Sequence, residues 1–136
     1  MVDQKKIKLG PYPRGFHVIT NEVVTNIPKI TGIVNVFIQH TSAGLTINEN
    51  ADPTVREDFE THFNKMVSEK ETHFKHTFEG PDDMTSHIKS SLLGSSVNFP
   101  IKMGVPLLGV WQGIYLCEHR NGGKTRKIII TSYGED

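Results

Sequence analysis

The sequence predicts an α+β protein, a mainly antiparallel β-sandwich of about six or seven strands with two helices, in a single domain spanning residues 1–136. Three observations lead there. Segments rich in β-branched residues with a period of two open and close the chain. Two segments of helical period lie between them, and the order lacks the regular strand-helix alternation of a doubly wound fold. Finally, 136 residues without repeat or low-complexity linker are the length of one domain, and 36% hydrophobic with 22% charged residues is ordinary globular composition.

The elements follow in order. "HVITNEVV" and "IVNVFIQHT" read as strands, and in the second Val34, Val36, Ile38 and His40 alternate onto one face. After "NENADP" the period changes. Asp52 is a good N-cap, Pro53 fits the first helical position, and Val55, Phe59, Phe63, Met66 and Val67 form an apolar stripe. A polar link, "SEKETHFKH", leads to a second, shorter helix. Asp82 or Asp83 can cap it, Met84, Ile88 and Leu92 recur every four residues, and Gly94 ends it. Strands return with "SVNFPI" and the long "PLLGVWQGIYLCEH"; an Asn121-Gly122 turn then leads into "KTRKIIITSY", a hairpin signal. In the long strand Trp111, Tyr115, Cys117 and His119 share one face and Val110, Gln112, Ile114, Leu116 and Glu118 the other, so both faces read as largely buried.

Fifteen Lys and Arg balance fifteen Asp and Glu, so no global field attracts nucleic acid or an anionic membrane, and any anion site is local. Cys117 is the single cysteine, which excludes an internal disulfide. No apolar run approaches the ~20 residues of a membrane span, and the expected setting is the reducing cytoplasm.

The candidate chemistry lies around "HFKHTFEGPDDMTSHIKSSLLG", where His76 and His87 bracket "EGPDD". If the Gly80-Pro81 corner folds "FKHT" over the helix start, His76 and His87 converge, and His40 at a strand end can join them as a zinc-type site with one open position. The spacing matches no compact metal motif. It equally allows a loop His76, a helix-flank His87 and a His40 at the rim of the core. Glu49 and Asp52 either supply a carboxylate or form a turn and an N-cap. Cys117 is either a nucleophile or a small core residue. Arg120, Lys124, Arg126 and Lys127 around "NGG" either bind phosphate or solvate a hairpin end. His17, His62, His73 and His119 read as structural or surface, and no Walker loop, GxGxxG or GxSxG elbow is present.

Three long stretches, "IQHTSAGLTINENADP", "FEGPDDMTSHIKSSLLGSS" and "GVWQGIYLCEHRNGG", followed by "TRKIIITSYGE", resemble the YjbQ-like family, also called the secondary thiamine-phosphate synthase family. The resemblance covers nearly the whole chain. One departure is Thr85-Ser86 where the family commonly has Pro-Ala, which bears on the helix start and leaves His87 in place. The resemblance implies a homotrimer with sites near subunit boundaries. It also implies a metal or active-site group of His40, His76 and His87, an acidic loop at Glu49 and Asp52, and a strand motif of Trp111, Gln112, Cys117, Glu118 and Arg120.

The activity that the resemblance implies joins hydroxymethylpyrimidine diphosphate to a thiazole phosphate and releases pyrophosphate. A divalent ion, zinc or magnesium, with Arg120 or Arg126 would stabilise the departing pyrophosphate, and Trp111 would offer the pyrimidine an aromatic wall. The alternatives are a metal-dependent hydrolase using the same histidines and a non-catalytic trimeric small-molecule binding protein; in each case the expected ligand is a small phosphorylated molecule.

Overall fold

The computed structural model describes residues 1–136. In chain order it contains β1 (Val2–Leu9), β2 (Gly15–Val18), α1 (Thr20–Val24), β3 (Thr31–Ile38), β4 (Ala43–Glu49), α2 (Pro53–Met66), α3 (Asp83–Leu93), β5 (Ser96–Lys102), β6 (Val105–Pro106), β7 (Gln112–Glu118) and β8 (Arg126–Glu135). All strand pairs are antiparallel, in one sheet ordered β1-β8-β3-β5-β6 and another ordered β2-β7-β4. The class is the α+β expected; the strands number eight, not six or seven, and the helices three, not two. No helix is long and apolar enough to cross a membrane.

The extra helix comes from "HVITNEVV". Ile19 and Val23, four residues apart, are both fully buried, so the apolar spacing there is helical. The Thr20 hydroxyl accepts the Ile114 amide at 2.9 Å, which ends the pairing of β2 with β7 and turns the chain into α1.

The two sheets face each other across the main core. Val34, Val36 and Ile38 of β3 and Ile128 and Ile130 of β8 pack toward Leu45 of β4 and Ile114 and Leu116 of β7. On the other face of the small sheet, Phe16, Tyr115 and Cys117 lie beneath Phe59 and Phe63 of α2 and Leu93 of α3. The layers therefore run sheet, sheet, helices. This order buries both faces of β7 inside one chain.

Two expectations about this region are corrected. The strand begins at Gln112, because Gln112 exchanges hydrogen bonds with Gly109 through its amide and its side chain, leaving Val110 and Trp111 exposed. The Asn121-Gly122 turn forms no hairpin: β7 is already paired on both edges, by β2 and β4, so the turn carries the chain to the other sheet.

Helix α2 matches its sequence signals, with Asp52 accepting the Thr54 amide at 3.0 Å and Pro53 in the first turn. Helix α3 has the expected length and the opposite orientation. Its buried residues are Asp83, Thr85, Ser86 and Lys89, while Leu92 is exposed. These polar groups are paired: Thr85 and Ser86 hydroxyls donate to the Asp82 and Asp83 carbonyls, and Lys89 Nζ donates to Asn64 Oδ1 at 2.5 Å.

His119 is buried edge-on to Phe16, and its Nε2 atom has no hydrogen-bond partner. Burial, then the positive charges of Lys89, Arg14 and Arg126, push its pKa down to about 3. The unfolded chain therefore binds a proton here that the folded chain refuses, and stability is lost as pH falls from ~6.5 toward that value. The loss amounts to at most about 1.4 kcal/mol per pH unit. Denaturant unfolding between pH 6.5 and 4.5 should show a shallower pH slope for His119→Phe, or for His119→Gln if the first variant does not fold. Equal slopes in variant and wild type would refute this assignment.

Candidate functional site

The start of α3 is held by a carboxylate-guanidinium clamp. Arg120, just past β7, donates through Nε to Asp82 Oδ2 at 3.0 Å, through Nη1 to Asp83 Oδ1, and through Nη2 to the Glu79 carbonyl at 3.1 Å. The Asn121 amide adds a bond to Asp82 Oδ2 at 2.8 Å. Burial alone would raise both carboxyls. For Asp82 the Asn121 amide and Arg120 outweigh it, for Asp83 the His76 hydrogen bond with His87 and Arg120, and both lie below the usual carboxylate range.

Asp83 Oδ2 then gathers the two histidines. His87 is one helical turn on, so its ring lies on the same face as Asp83, with Nε2 at 3.2 Å from Oδ2. The Gly80-Pro81 corner, with Gly80 at φ +110°, folds the preceding loop back and brings His76 Nε2 to 2.7 Å from the same oxygen. The ring centroids are 5.5 Å apart, and the ligand atoms of His76, Asp83 and His87 all lie within 4.8 Å of one another. His87 Nδ1 sits 2.9 Å from the Thr41 carbonyl, which only accepts, so Nδ1 carries a proton. Neutral His87 then points a lone pair at a carboxylate oxygen, and that pair of acceptors is satisfied by a proton or a cation between them.

His40 stands outside this cluster. Its Nε2 accepts the Lys127 amide at 2.8 Å, so in the neutral ring Nδ1 is a donor. Burial, then Arg126, lowers its pKa, and Lys127 adds to the shift against Glu118, which keeps the ring neutral at pH 7. His40 lines two cavities. One, about 710 Å3, runs along α3 and is lined by Thr41, His87, Ser90, Ser91 and Ser95. The other, about 360 Å3, is lined by Arg120, Lys124, Arg126 and the loop 121–125.

The amides of Gly122, Gly123, Lys124 and Thr125 in that loop make no hydrogen bond within the chain. Gly122 has φ +62°, and a Cβ on Gly123 would collide with the Glu118 carboxylate, so this loop passes close against that side chain only as Gly-Gly. Successive free amides of this kind suit an anion. Glu118 is fully buried and paired with Arg126, which also donates to Ser42 Oγ at 2.9 Å.

Other expected residues are elsewhere. Glu49, Asp52, Trp111 and Gln112 gather at the far end of β4 and β7, ~20 Å of strand from Ala43. Asp52 is an N-cap whose carboxyl the Thr54 amide and hydroxyl hold down. Cys117 is fully buried beneath α2, and desolvation pushes its thiol far up, which makes it a core residue and corrects the nucleophile expectation. Asp83 has a larger part than the capping role its sequence position suggests. The signal for that part is its spacing of four from His87 on a helix. A disulfide-exchange reagent such as DTNB should leave Cys117 untouched over minutes in the native protein and titrate one thiol per chain in guanidinium; rapid native reaction would contradict the buried placement.

This arrangement belongs to a shared architecture. A Clostridium acetobutylicum protein described as an uncharacterized conserved protein of the yjbq/upf0047 family superposes with TM-score 0.82 at 37% identity, covering 93% of this chain and 97% of that one. The conserved hypothetical protein TT1486 from Thermus thermophilus superposes with TM-score 0.85 at 30% identity, with the same coverage. In sequence, the UPF0047 protein YjbQ of Salmonella typhimurium is 51% identical over 136 residues, 97% of this chain and 98% of that protein. Because the profile of the family described as "UPF0047 protein YjbQ-like" also matches residues 5–135, with the loop, the helix start and the strand end of the site all inside the match, the chain belongs to the YjbQ-like UPF0047 family.

Proposed function

We propose that this protein is a metal-dependent enzyme acting on a small phosphorylated molecule. The observation that carries the reading is the convergence of His76 and His87 on one Asp83 oxygen, with His87 oriented by the Thr41 carbonyl. Two imidazole nitrogens and a carboxylate oxygen, with the outer nitrogen of one ring donating to a backbone carbonyl, form a donor set that fits zinc better than magnesium. A divalent ion bound there supplies Lewis-acid stabilisation of charge on phosphoryl oxygens.

The chain's own groups supply the remainder. His40 Nδ1–H and the amides of residues 122–125 donate to an oxyanion, with Lys124 adding positive charge. Direct grip of pyrophosphate by Arg120 and Arg126, the sequence expectation, gives way to another role. Their guanidinium groups are committed to Asp82, Asp83 and Glu118, so they hold the walls of the cavity and position Asp83. The thiamine-phosphate synthase reaction is one chemistry of this kind. In it the bond from the pyrimidine methylene to the diphosphate oxygen breaks, a bond to the thiazole nitrogen forms, and pyrophosphate leaves into the amide-lined cavity. Hydrolysis of a phosphate ester is a second reading, favoured by the lining of the larger cavity, where Ala43 is the one hydrophobic residue and Trp111 is not among the walls.

Self-association into a homotrimer belongs to the same proposal. Its support is the exposed Leu92 of α3 together with the exposed Phe78 on the preceding loop. A reducing cytoplasm accords with the free Cys117.

Metal analysis and zinc titration decide the central point. Wild type should bind about one zinc per chain, and Asp83→Ala and His87→Ala should each weaken binding by about 100-fold or more. His40→Ala should retain zinc and lose about 10-fold in affinity for inorganic phosphate. Zinc binding unchanged in both Asp83→Ala and His87→Ala would overturn the proposal. Pyrophosphate release from the two thiamine precursors, against phosphate release from simple phosphoesters, separates transfer from hydrolysis.

A further inference from the structure

The larger cavity has a hydrogen-bonding polarity that narrows the substrate. Ser90 Oγ donates to the Ser86 carbonyl at 2.8 Å and Ser91 Oγ donates to the His87 carbonyl at 3.0 Å. Each hydroxyl has a single hydrogen, so each is spent on the helix and leaves an accepting oxygen. The Thr41 carbonyl, already accepting from His87, keeps a second lone pair. No Lys, Arg, Asp or Glu lines this cavity, and no aromatic carbocycle offers a stacking wall. Its walls accordingly suit an uncharged body that donates several hydrogen bonds.

The cavity and the amide-lined one share His40 as a wall. A single molecule can thus place a phosphate against residues 122–125 and a neutral, hydroxylated body along α3, with the bond between them beside His40 and His87. We infer that the substrate is a phosphorylated polyol, a sugar or sugar-alcohol phosphate, whose hydroxyl groups donate to the acceptor-lined groove between His40 and α3. The inference rests on the metal and phosphate reading above and takes its hydrolytic form, in which the hydroxylated body lies along the serine row of α3.

The acceptors at Thr41 and Ser91 are open to solvent and Ser90 is half-buried, so matching them favours a hydroxylated ester by a modest factor, below the discrimination of a fully buried polar site. Calorimetric titration of the zinc-loaded full chain with inorganic phosphate, ethyl phosphate and ribose 5-phosphate tests this directly. Ribose 5-phosphate should bind about 10-fold or more tightly than ethyl phosphate, a difference of about 1.4 kcal/mol. Ser91→Val, or Ser90→Ala should the first variant not fold, should reduce that preference while zinc and inorganic phosphate bind as in wild type. Equal affinities for the two esters, with zinc and inorganic phosphate still bound, would overturn the polyol assignment and leave the metal reading standing. Loss of zinc and inorganic phosphate binding in the wild type would overturn both.

Discussion

The Arg120 clamp on Asp82 and Asp83 is the contact on which the site depends. Asp82 and Asp83 are 6% and 2% exposed, and carboxylates so far from water are costly unless charge and hydrogen bonds replace their hydration. One guanidinium serves both, with Nε and Nη1 directed at different side chains and Nη2 at the Glu79 carbonyl. The clamp joins the end of β7 to the start of α3, segments 37 residues apart in sequence. It also fixes which Asp83 oxygen remains for the histidines: Oδ1 is taken by Arg120 and Oδ2 faces His76 and His87.

A second constraint comes from the link between β3 and β4. Its three consecutive residues His40, Thr41 and Ser42 reach two other elements: His40 takes the Lys127 amide and Ser42 the Arg126 side chain, both at the start of β8, and Thr41 takes the His87 ring of α3. Arg126 in turn is paired with Glu118 of β7, so a buried ion pair ties the two sheets together behind this link. Pairing of Ala43 with Glu118 brings the link beside the end of β7. Strand register, a local backbone property, thereby sets the orientation of an imidazole that lies 46 residues further along the chain.

What was legible in the sequence had local causes. Asp52, Pro53 and the Phe59/Phe63 stripe state α2 within fourteen residues, and the alternation of Val34, Val36 and Ile38 states β3. What was not legible depends on partners distant in sequence. The polar face of α3 turns inward, leaving Met84 and Ile88 half-buried and Leu92 exposed, because Lys89 finds Asn64 and Asp82 finds Arg120, pairings that no window around the helix contains. The Asn121-Gly122 turn has hairpin composition, yet β2 and β4 already occupy both edges of β7. Among the histidines, spacing brings His76 and His87 into consideration without separating them from His40. The tautomer imposed by the Lys127 amide and by the Thr41 carbonyl makes that distinction, and it exists only in three dimensions.

The placement of the arginines also explains why an ion and a phosphate belong together on the proposed reading. Around the amide-lined cavity and the clamp, the carboxylates of Glu79, Asp82, Asp83 and Glu118 are matched in number by Arg120, Lys124, Arg126 and Lys127, the last of which also acts on His40. Such a balanced site offers a phosphate little beyond its free amides. A divalent cation between His76, Asp83 and His87 would make it net positive, and phosphate in turn would strengthen the attraction for the cation, because coupling between two ligands acts equally in both directions. Pairing the arginines with buried acids then has a chemical consequence: it prevents a permanently cationic pocket that would hold any passing anion, and makes retention of phosphate conditional on the ion that would act on it.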